Sequence, residues 1–137
     1  NKRGKHDAPK MGKLLREQDL VPDLILCSTA VRATSTAQAV LDACHGDAEI
    51  RRHPELYDGD EEDVLEILRG IPGELQTVLL VGHNPGLAVM VEMLSAESAP
   101  MPTAAIAHIE LDLEYWQDLS EVTPGRLKGY WAPREQE

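Results

Sequence analysis

Phenylalanine is absent from the 137-residue sequence, and Tyr and Trp bring the aromatic fraction to only 4%. Leu, Val, Ile and Ala must therefore fill the core, and a chain of this length is long enough to form one. No apolar run approaches the roughly 20 residues of a membrane-spanning helix. The N-terminal residues are charged where a secretory signal would be apolar. We expect a single domain over residues 1–137, located in the cytoplasm, with no membrane partner.

Cysteine and basic residues are also scarce. Cys27 and Cys44 lack the spacing of metal ligands and lie among apolar residues, which predicts buried, reduced thiols and no metal site. Thirteen Lys and Arg stand against 24 Asp and Glu, which gives a net charge of −11. Because nucleic-acid backbones require the opposite sign, DNA and RNA are not expected partners.

The basic residues that are present concentrate at the N-terminus. The first 16 residues contain Asp7 as their only acid and six basic residues, Lys2, Arg3, Lys5, Lys10, Lys13 and Arg16. A solvated helix face is the simplest interpretation, although a basic edge on an acidic protein also attracts anions.

Apolar spacing predicts alternating helices and strands. Helices are expected at about 5–18, 31–44, from the acidic stretch 58–63 onward and from 87, and strands at 23–27, 48–51, 78–81, 105–113 and 126–131. The 31–44 helix is expected to bury Val31 and to stop at His45 and Gly46. Strand and helix alternate at βαβ distances, which indicates an α/β fold, a three-layer αβα sandwich with a mainly parallel sheet.

Two polar segments directly follow predicted strands: residues 28–32 (STAVR) and residues 82–86 (GHNPG). Groups at the carboxyl ends of parallel strands gather at one edge of the sheet. Arg32 and His83 are therefore expected together beside helix N-termini, whose N–H groups and dipole favour anions. Taken alone, His83 also fits a structural turn histidine and Arg32 an ordinary surface arginine. The pair favours an anion site.

Other candidates have weaker contexts. Glu55 and Asp58 lie in the PELYDGD segment, where a carboxylate can serve as a general acid or simply form acidic surface. The remaining histidines are interpreted as surface or structural residues: His6, His45, His53 and His108.

Four segments resemble the histidine phosphatase superfamily, with its phosphoglycerate mutase-like fold, and within it the short SixA-type phosphohistidine phosphatases. They are residues 1–15, 22–40, 78–87 and 101–111, in the family's order. The Ser-x-x-x-Arg-x-x-x-Thr-Ala spacing that begins at Ser28 and the Gly-His-Asn-Pro-Gly segment are specific in combination.

The resemblance implies roles for the pocket residues. Arg32 would bind the phosphoryl oxygens and His83 would stabilise charge on the same group, with Ser28 and Asn84 also binding phosphate. Phosphoryl transfer depends mainly on positioning and charge neutralisation, and the guanidinium fork matches the phosphoryl oxygens. A bound dianion would favour the imidazolium form of His83.

The family's nucleophile, a histidine in an Arg-His-Gly or Arg-His-Ala motif after the first strand, is not in this sequence. Asn1 begins a segment that resembles the part downstream of that motif. We therefore expect the first strand and the nucleophile upstream of residue 1 in the intact protein, and we expect residues 1–137 alone to be inactive.

The resemblance implies a hydrolase that acts on protein phosphohistidine through a covalent phosphohistidine intermediate, with no metal or other cofactor. The partner would be a phosphohistidine-bearing protein or a small phosphorylated substrate. An imidazole leaving group needs little acid assistance, and Asp58 is the candidate if a general acid exists. The alternatives are a phosphatase for small phosphomonoesters and a non-catalytic module that binds phosphate or phosphoproteins.

Overall fold

The chain folds into alternating helices and strands close to those that the apolar spacing predicts. The computed structural model describes residues 2–132, with side chains from residue 6. Its elements are α1 (Lys2–Glu17), β1 (Leu24–Cys27), α2 (Val31–Cys44), β2 (Glu49–Arg52), α3 (Glu55–Asp58), α4 (Glu61–Arg69), β3 (Val78–Val81), α5 (Gly86–Ser95), β4 (Ile106–Leu111), a short 3-10 helix (Trp116–Asp118) and β5 (Gly125–Trp131). The short helix α3 lies in the PELYDGD segment, where the apolar spacing predicts no helix.

Residues 2–58 and Leu75–Gly82 form a first compact unit. It is built around a three-stranded parallel sheet in the order β2-β1-β3. Every residue of β1 is buried, as its uninterrupted apolar run predicts for a strand between two parallel neighbours. Asp23 directly precedes β1, at the edge where the strands begin. Its carboxylate accepts hydrogen bonds there from the backbone N–H groups of Gln76 and Thr77, at 3.0 and 2.9 Å.

Helix α2 covers one face of this sheet. Ala37, Leu41 and Cys44 pack with Ile25 and Cys27 in one apolar cluster. Both cysteines are buried and free, as predicted. Burial raises the pKa of the Cys27 thiol, because the thiolate would be poorly solvated there, and the charge of Arg52 partly offsets that effect.

The predicted buried face of α2 is wrong at one residue. The side chain of Val31 is 81% exposed, whereas the buried positions of the helix are Ala33, Ala37, Val40, Leu41 and Cys44. At 100° per residue, Val31 lies about half a turn away from this stripe. The helix ends where expected, at the predicted stop of His45 and Gly46, and His45, with φ of 55°, takes the left-handed conformation there.

Helix α1 packs closely against α2. A Cβ atom on Gly12 would overlap the carbonyl oxygen of Val40 and lie 2.7 Å from the Cβ of Ala43. Further along, the Nη1 of Arg16 donates to the carbonyl oxygen of Cys44 at 2.9 Å. Glycine therefore allows the two helices to approach at this point.

Residues Gly59–Glu74 and 83–132 form a second compact unit. Asp60 caps α4 in a reciprocal capping box with Asp63, so the predicted acidic helix N-terminus is confirmed. Strands β4 and β5 pair with each other, antiparallel, in a separate two-stranded sheet. The α/β fold class is therefore confirmed, with three of the five strands described in the parallel sheet. That the chain is a single domain stays a prediction.

Charge is divided unevenly between the two units. Over the residues that the structure describes, the first contains nine Lys and Arg and nine Asp and Glu, whereas the second contains three and thirteen, so almost all of the net charge of −11 arises from the second unit. Among residues 2–132, no helix is both long enough and apolar enough to cross a membrane.

Candidate functional site

The three parallel strands end at one edge, which backbone hydrogen bonds define. Cys27, the last residue of β1, is in register with Arg52 on one side and Val81 on the other. Just beyond these pairs, the N–H of Ser28 donates to the carbonyl oxygen of Val81 at 3.0 Å, and that of His53 donates to the carbonyl oxygen of Cys27 at 2.9 Å. The segments that follow all three strands therefore begin at this edge.

Ser28 shapes the turn between β1 and α2. It is fully buried, and its hydroxyl oxygen accepts a hydrogen bond from the N–H of Ala30 at 3.0 Å. Ala30 caps α2 without a side-chain hydrogen bond, so the serine two residues earlier supplies the local polar contact. Its predicted role in phosphate binding stays a prediction.

Arg32 is the second residue of α2, and it is exposed. The first turn of the helix closes through the N–H of Thr34, which donates to the carbonyl oxygen of Ala30 at 3.0 Å. Arg32 thus adds a guanidinium to the positive end of a helix that starts at the carboxyl edge of the sheet, where an anion is favoured.

His83 and Asn84 belong to the second unit and precede α5. His83 is half-buried, and its carbonyl oxygen accepts from the N–H of Leu87 at 2.9 Å. The side-chain amide of the exposed Asn84 donates to the carbonyl oxygen of Met101, which ties the turn to the segment before β4. Phosphate binding by these two residues stays a prediction.

The candidate general acid lies on a helix that the sequence did not predict. Asp58 is the last residue of α3, is exposed, and its N–H donates to the carbonyl oxygen of Pro54 at 3.3 Å. Glu55 begins the same helix and is also exposed. Neither residue directly follows a strand, unlike Ser28.

The sequence-based predictions missed the position of Arg52 and His53 at this edge of the sheet. They gave no role to Arg52 and assigned His53 to surface or structure. The structure brings Arg52 into register with Cys27, and His53 bonds to the end of β1 through its backbone. A signal was available, because the Arg-Arg-His run ends a predicted strand just as Ser28 follows β1.

Two further possibilities concern the N-terminal basic residues and a metal site. In the predicted basic edge, Lys10, Lys13 and Arg16 are exposed, while the side chains of Lys2, Arg3 and Lys5 lie outside the described residues. Where side chains are described, from 6 to 132, no group of three or more His, Cys, Asp or Glu residues is arranged to hold a metal ion.

The sequence is similar to those of other known proteins. No model of a known protein family matches the chain. The chain is 32% identical over 145 residues to the uncharacterized protein Rv1276c of Mycobacterium tuberculosis, covering 96% of this chain and 87% of that protein. It is 29% identical over 142 residues to the uncharacterized protein ML1117 of Mycobacterium leprae, covering 96% and 84%.

Solved structures give the family. The protein histidine phosphatase SixA complexed with tungstate matches with a TM-score of 0.83 and 26% identity, over 100% of this chain and 85% of that chain. The putative phosphohistidine phosphatase SixA of Agrobacterium tumefaciens matches with a TM-score of 0.79 and 29% identity, over 97% and 82%. This chain belongs to the histidine phosphatase superfamily.

Other superfamily members extend the likeness to the fold alone. The mycobacterial glucosyl-3-phosphoglycerate phosphatase Rv2419c matches with a TM-score of 0.67 at 16% identity, over 93% of this chain and 85% of that chain. The two SixA structures, at 26% and 29% identity, confirm the resemblance inferred from STAVR and GHNPG at the level of superfamily and fold.

Proposed function

We propose that the intact protein is a phosphatase that hydrolyses phosphohistidine on protein substrates. The observation that carries the proposal is that STAVR and the segment beginning at Gly82 directly follow two neighbouring parallel strands, which end in register at Cys27 and Val81. The likeness to SixA over the whole of this chain supports it, and tungstate, the ion in that complex, is an oxyanion like phosphate.

The proposed reaction proceeds in two displacements on phosphorus. A neutral histidine upstream of residue 1 attacks, the bond to the substrate imidazole breaks, and that imidazole leaves with a proton from solvent. Water then attacks the phosphohistidine of the enzyme, phosphate departs and the histidine is regenerated. Arg32 and His83 would hold the phosphoryl oxygens throughout and neutralise their charge. No step requires a metal.

The edge of the sheet supports a strand upstream of residue 1. Among the described residues, β3 pairs only with β1, although its four residues, VLLV, are all apolar and only half-buried. An unpaired apolar edge is a liability that proteins normally cover. In this proposal, the strand that carries the nucleophile pairs there, and residues 1–137 alone are inactive.

Activity of the full-length protein tests the proposal. We expect hydrolysis of a phosphohistidine peptide in the presence of EDTA, faster than that of a sugar phosphate or of p-nitrophenyl phosphate. Brief incubation with labelled substrate should leave acid-labile label on a histidine. The matched variant is Arg32→Ala, which should lose both hydrolysis and labelling.

Each other outcome points to a defined alternative. Preference for the esters would indicate a small-molecule phosphatase. If Asp58→Asn loses ester hydrolysis but keeps hydrolysis of the phosphohistidine peptide, Asp58 is the general acid that an ester leaving group needs. Phosphate binding without turnover would indicate a binding module. A gene with no Arg-His pair upstream of Asn1, or activity that EDTA abolishes, would contradict the proposed mechanism.

A further inference from the structure

Arg52 occupies a defined position at the carboxyl edge of the parallel sheet. It is the last residue of β2 and is in register with Cys27 on the neighbouring strand. Ile50, two residues earlier, packs against the same apolar cluster as Cys27 and α2. Since side chains alternate along a strand, Arg52 projects from the sheet face that α2 covers.

The start of α2 lies on that same face. The chain runs from Cys27 through the Ser28 turn into α2, whose second residue is Arg32. Adjacent strands lie about 4.8 Å apart, so Arg52 is one strand away from the segment that leads to Arg32. Arg52 and the segment that carries Arg32 thus lie at the same edge and on the same face of the sheet in the first unit.

Arg51, the residue before Arg52, forms an ion pair, whereas Arg52 does not among the described side chains. Arg51 is on the opposite face of β2, and its Nε donates to the Oε1 of Glu49 at 2.9 Å. Arg52 is exposed, and no ion pair involves it in the part of the chain whose side chains are described. The charge of Arg52 also acts on Cys27, where it opposes the increase in pKa that burial causes. Its charge is therefore directed at the strand end rather than neutralised by a carboxylate.

The charge balance of the first unit is compatible with an anionic ligand. That unit carries nine basic and nine acidic residues, although the chain as a whole has a net charge of −11. Local potential at the sheet edge is then set mainly by nearby groups such as Arg32 and Arg52, because exposed charges beyond about 8–10 Å are screened at physiological salt.

We propose that Arg52 is a specificity-determining residue that favours substrates with a second negative charge beside the phosphoryl group. This inference rests on the proposed function, in which Arg32 holds the phosphoryl oxygens. For a protein substrate, the second charge is an acidic side chain next to the phosphohistidine. Arg52 would bind that carboxylate without taking part in the displacement at phosphorus, so its contribution falls on substrate binding.

Binding to the full-length protein gives a readout that does not depend on turnover. Calorimetric titration with inorganic phosphate and with pyrophosphate measures the preference for a second anionic group. We expect Arg52→Gln to lower the ratio of pyrophosphate to phosphate affinity about tenfold, the size of one charge-assisted hydrogen bond. Arg52→Lys should keep part of the preference, and Arg51→Gln, the matched control, should keep all of it. Thermal denaturation of each variant checks its folding.

Kinetics then distinguish a protein substrate from a small molecule. Two phosphohistidine peptides that differ only by Glu or Gln beside the phosphohistidine are compared in the wild type and in both glutamine variants. We expect a lower KM for the Glu peptide in the wild type, and we expect Arg52→Gln to remove that difference through KM rather than kcat. A preference for pyrophosphate without one for the Glu peptide would overturn the protein-substrate form of the proposal.

The failure of this inference is separable from failure of the proposed function. If the wild type binds phosphate but Arg52→Gln and Arg51→Gln have the same affinity ratio, Arg52 has no role in specificity. If the wild type binds neither phosphate nor pyrophosphate, the phosphate site itself is wrong and both proposals fall. If Arg52→Gln does not fold, the comparison between Arg52→Lys and Arg51→Gln decides.

Discussion

The backbone N–H of Ser28 donates to the carbonyl oxygen of Val81 at 3.0 Å, directly beyond the last paired residues of β1 and β3. This hydrogen bond extends the parallel ladder by one residue, so the STAVR segment starts from a position that the sheet fixes. A site that starts from paired strands is held more rigidly than one on a free loop.

Arg32 is the residue on which phosphate binding should depend most. Arg32→Ala is expected to weaken inorganic phosphate binding at least 100-fold, because two charge-assisted hydrogen bonds of about 1.5–3 kcal/mol each are lost. Arg32→Lys should recover only part, since an ammonium cannot form the bidentate contact. Calorimetry on the full-length protein measures this, with Arg51→Gln as the control. Unchanged affinity in Arg32→Ala would mean that phosphate binds elsewhere.

His83 should affect the rate more than the fold. His83→Gln is expected to lower kcat on a phosphohistidine peptide by about 100- to 1000-fold, the usual cost of losing one group that stabilises transition-state charge. His108→Gln changes another half-buried histidine, on β4, and should retain wild-type kcat. Equal rates in the two variants would remove His83 from the site.

Two glycines should respond oppositely to alanine. Gly12→Ala is expected to destabilise the fold by about 1–3 kcal/mol, because its Cβ would overlap α2 at Val40 and Ala43. Gly86→Ala meets no atom within 4 Å at the start of α5, and should be neutral or stabilising by up to about 1 kcal/mol. Urea denaturation measures both. Equal losses would mean that close helix packing is not the reason for Gly12.

Cys27 predicts a loss of stability at alkaline pH. Burial raises the pKa of its thiol above the ordinary value of 9.0, so between the two pKa values the unfolded chain has lost this proton while the native one retains it. The stabilisation is complete below pH 9 and is lost as pH rises through the folded pKa. Cys27→Ala should have a shallower decline in unfolding free energy between pH 8 and pH 10. Parallel curves would contradict this, whatever the offset between them.

The capping box of α4 should contribute measurably to stability. Asp60→Ala removes the acceptor for the N–H of Asp63, at 3.0 Å, and is expected to cost about 1 kcal/mol. Asp58→Ala removes a nearby exposed carboxylate that takes no part in the box, and it should cost less. Urea denaturation compares them, and equal costs would attribute the effect to charge rather than capping.

Local patterns predicted the elements of this fold well. The apolar run of β1, the spacing in α2 and the acids before α4 each act over a few residues, so they are readable without knowledge of the fold. The stop of α2 at His45 and Gly46 is readable in the same way, but which of the two residues is left-handed is not. Glycine is the usual left-handed residue at a helix end, but here His45 takes that conformation.

The sequence by itself determined the strand and helix types, the buried cysteines and the two segments that carry Arg32 and His83. Tertiary structure alone decided the order β2-β1-β3 and the register that aligns Arg52 with Cys27. The reason is physical: helices and turns are set by contacts between near neighbours, whereas parallel pairing joins residues far apart in the chain. A shift of one residue in that pairing would move Arg52 to the other face of the sheet.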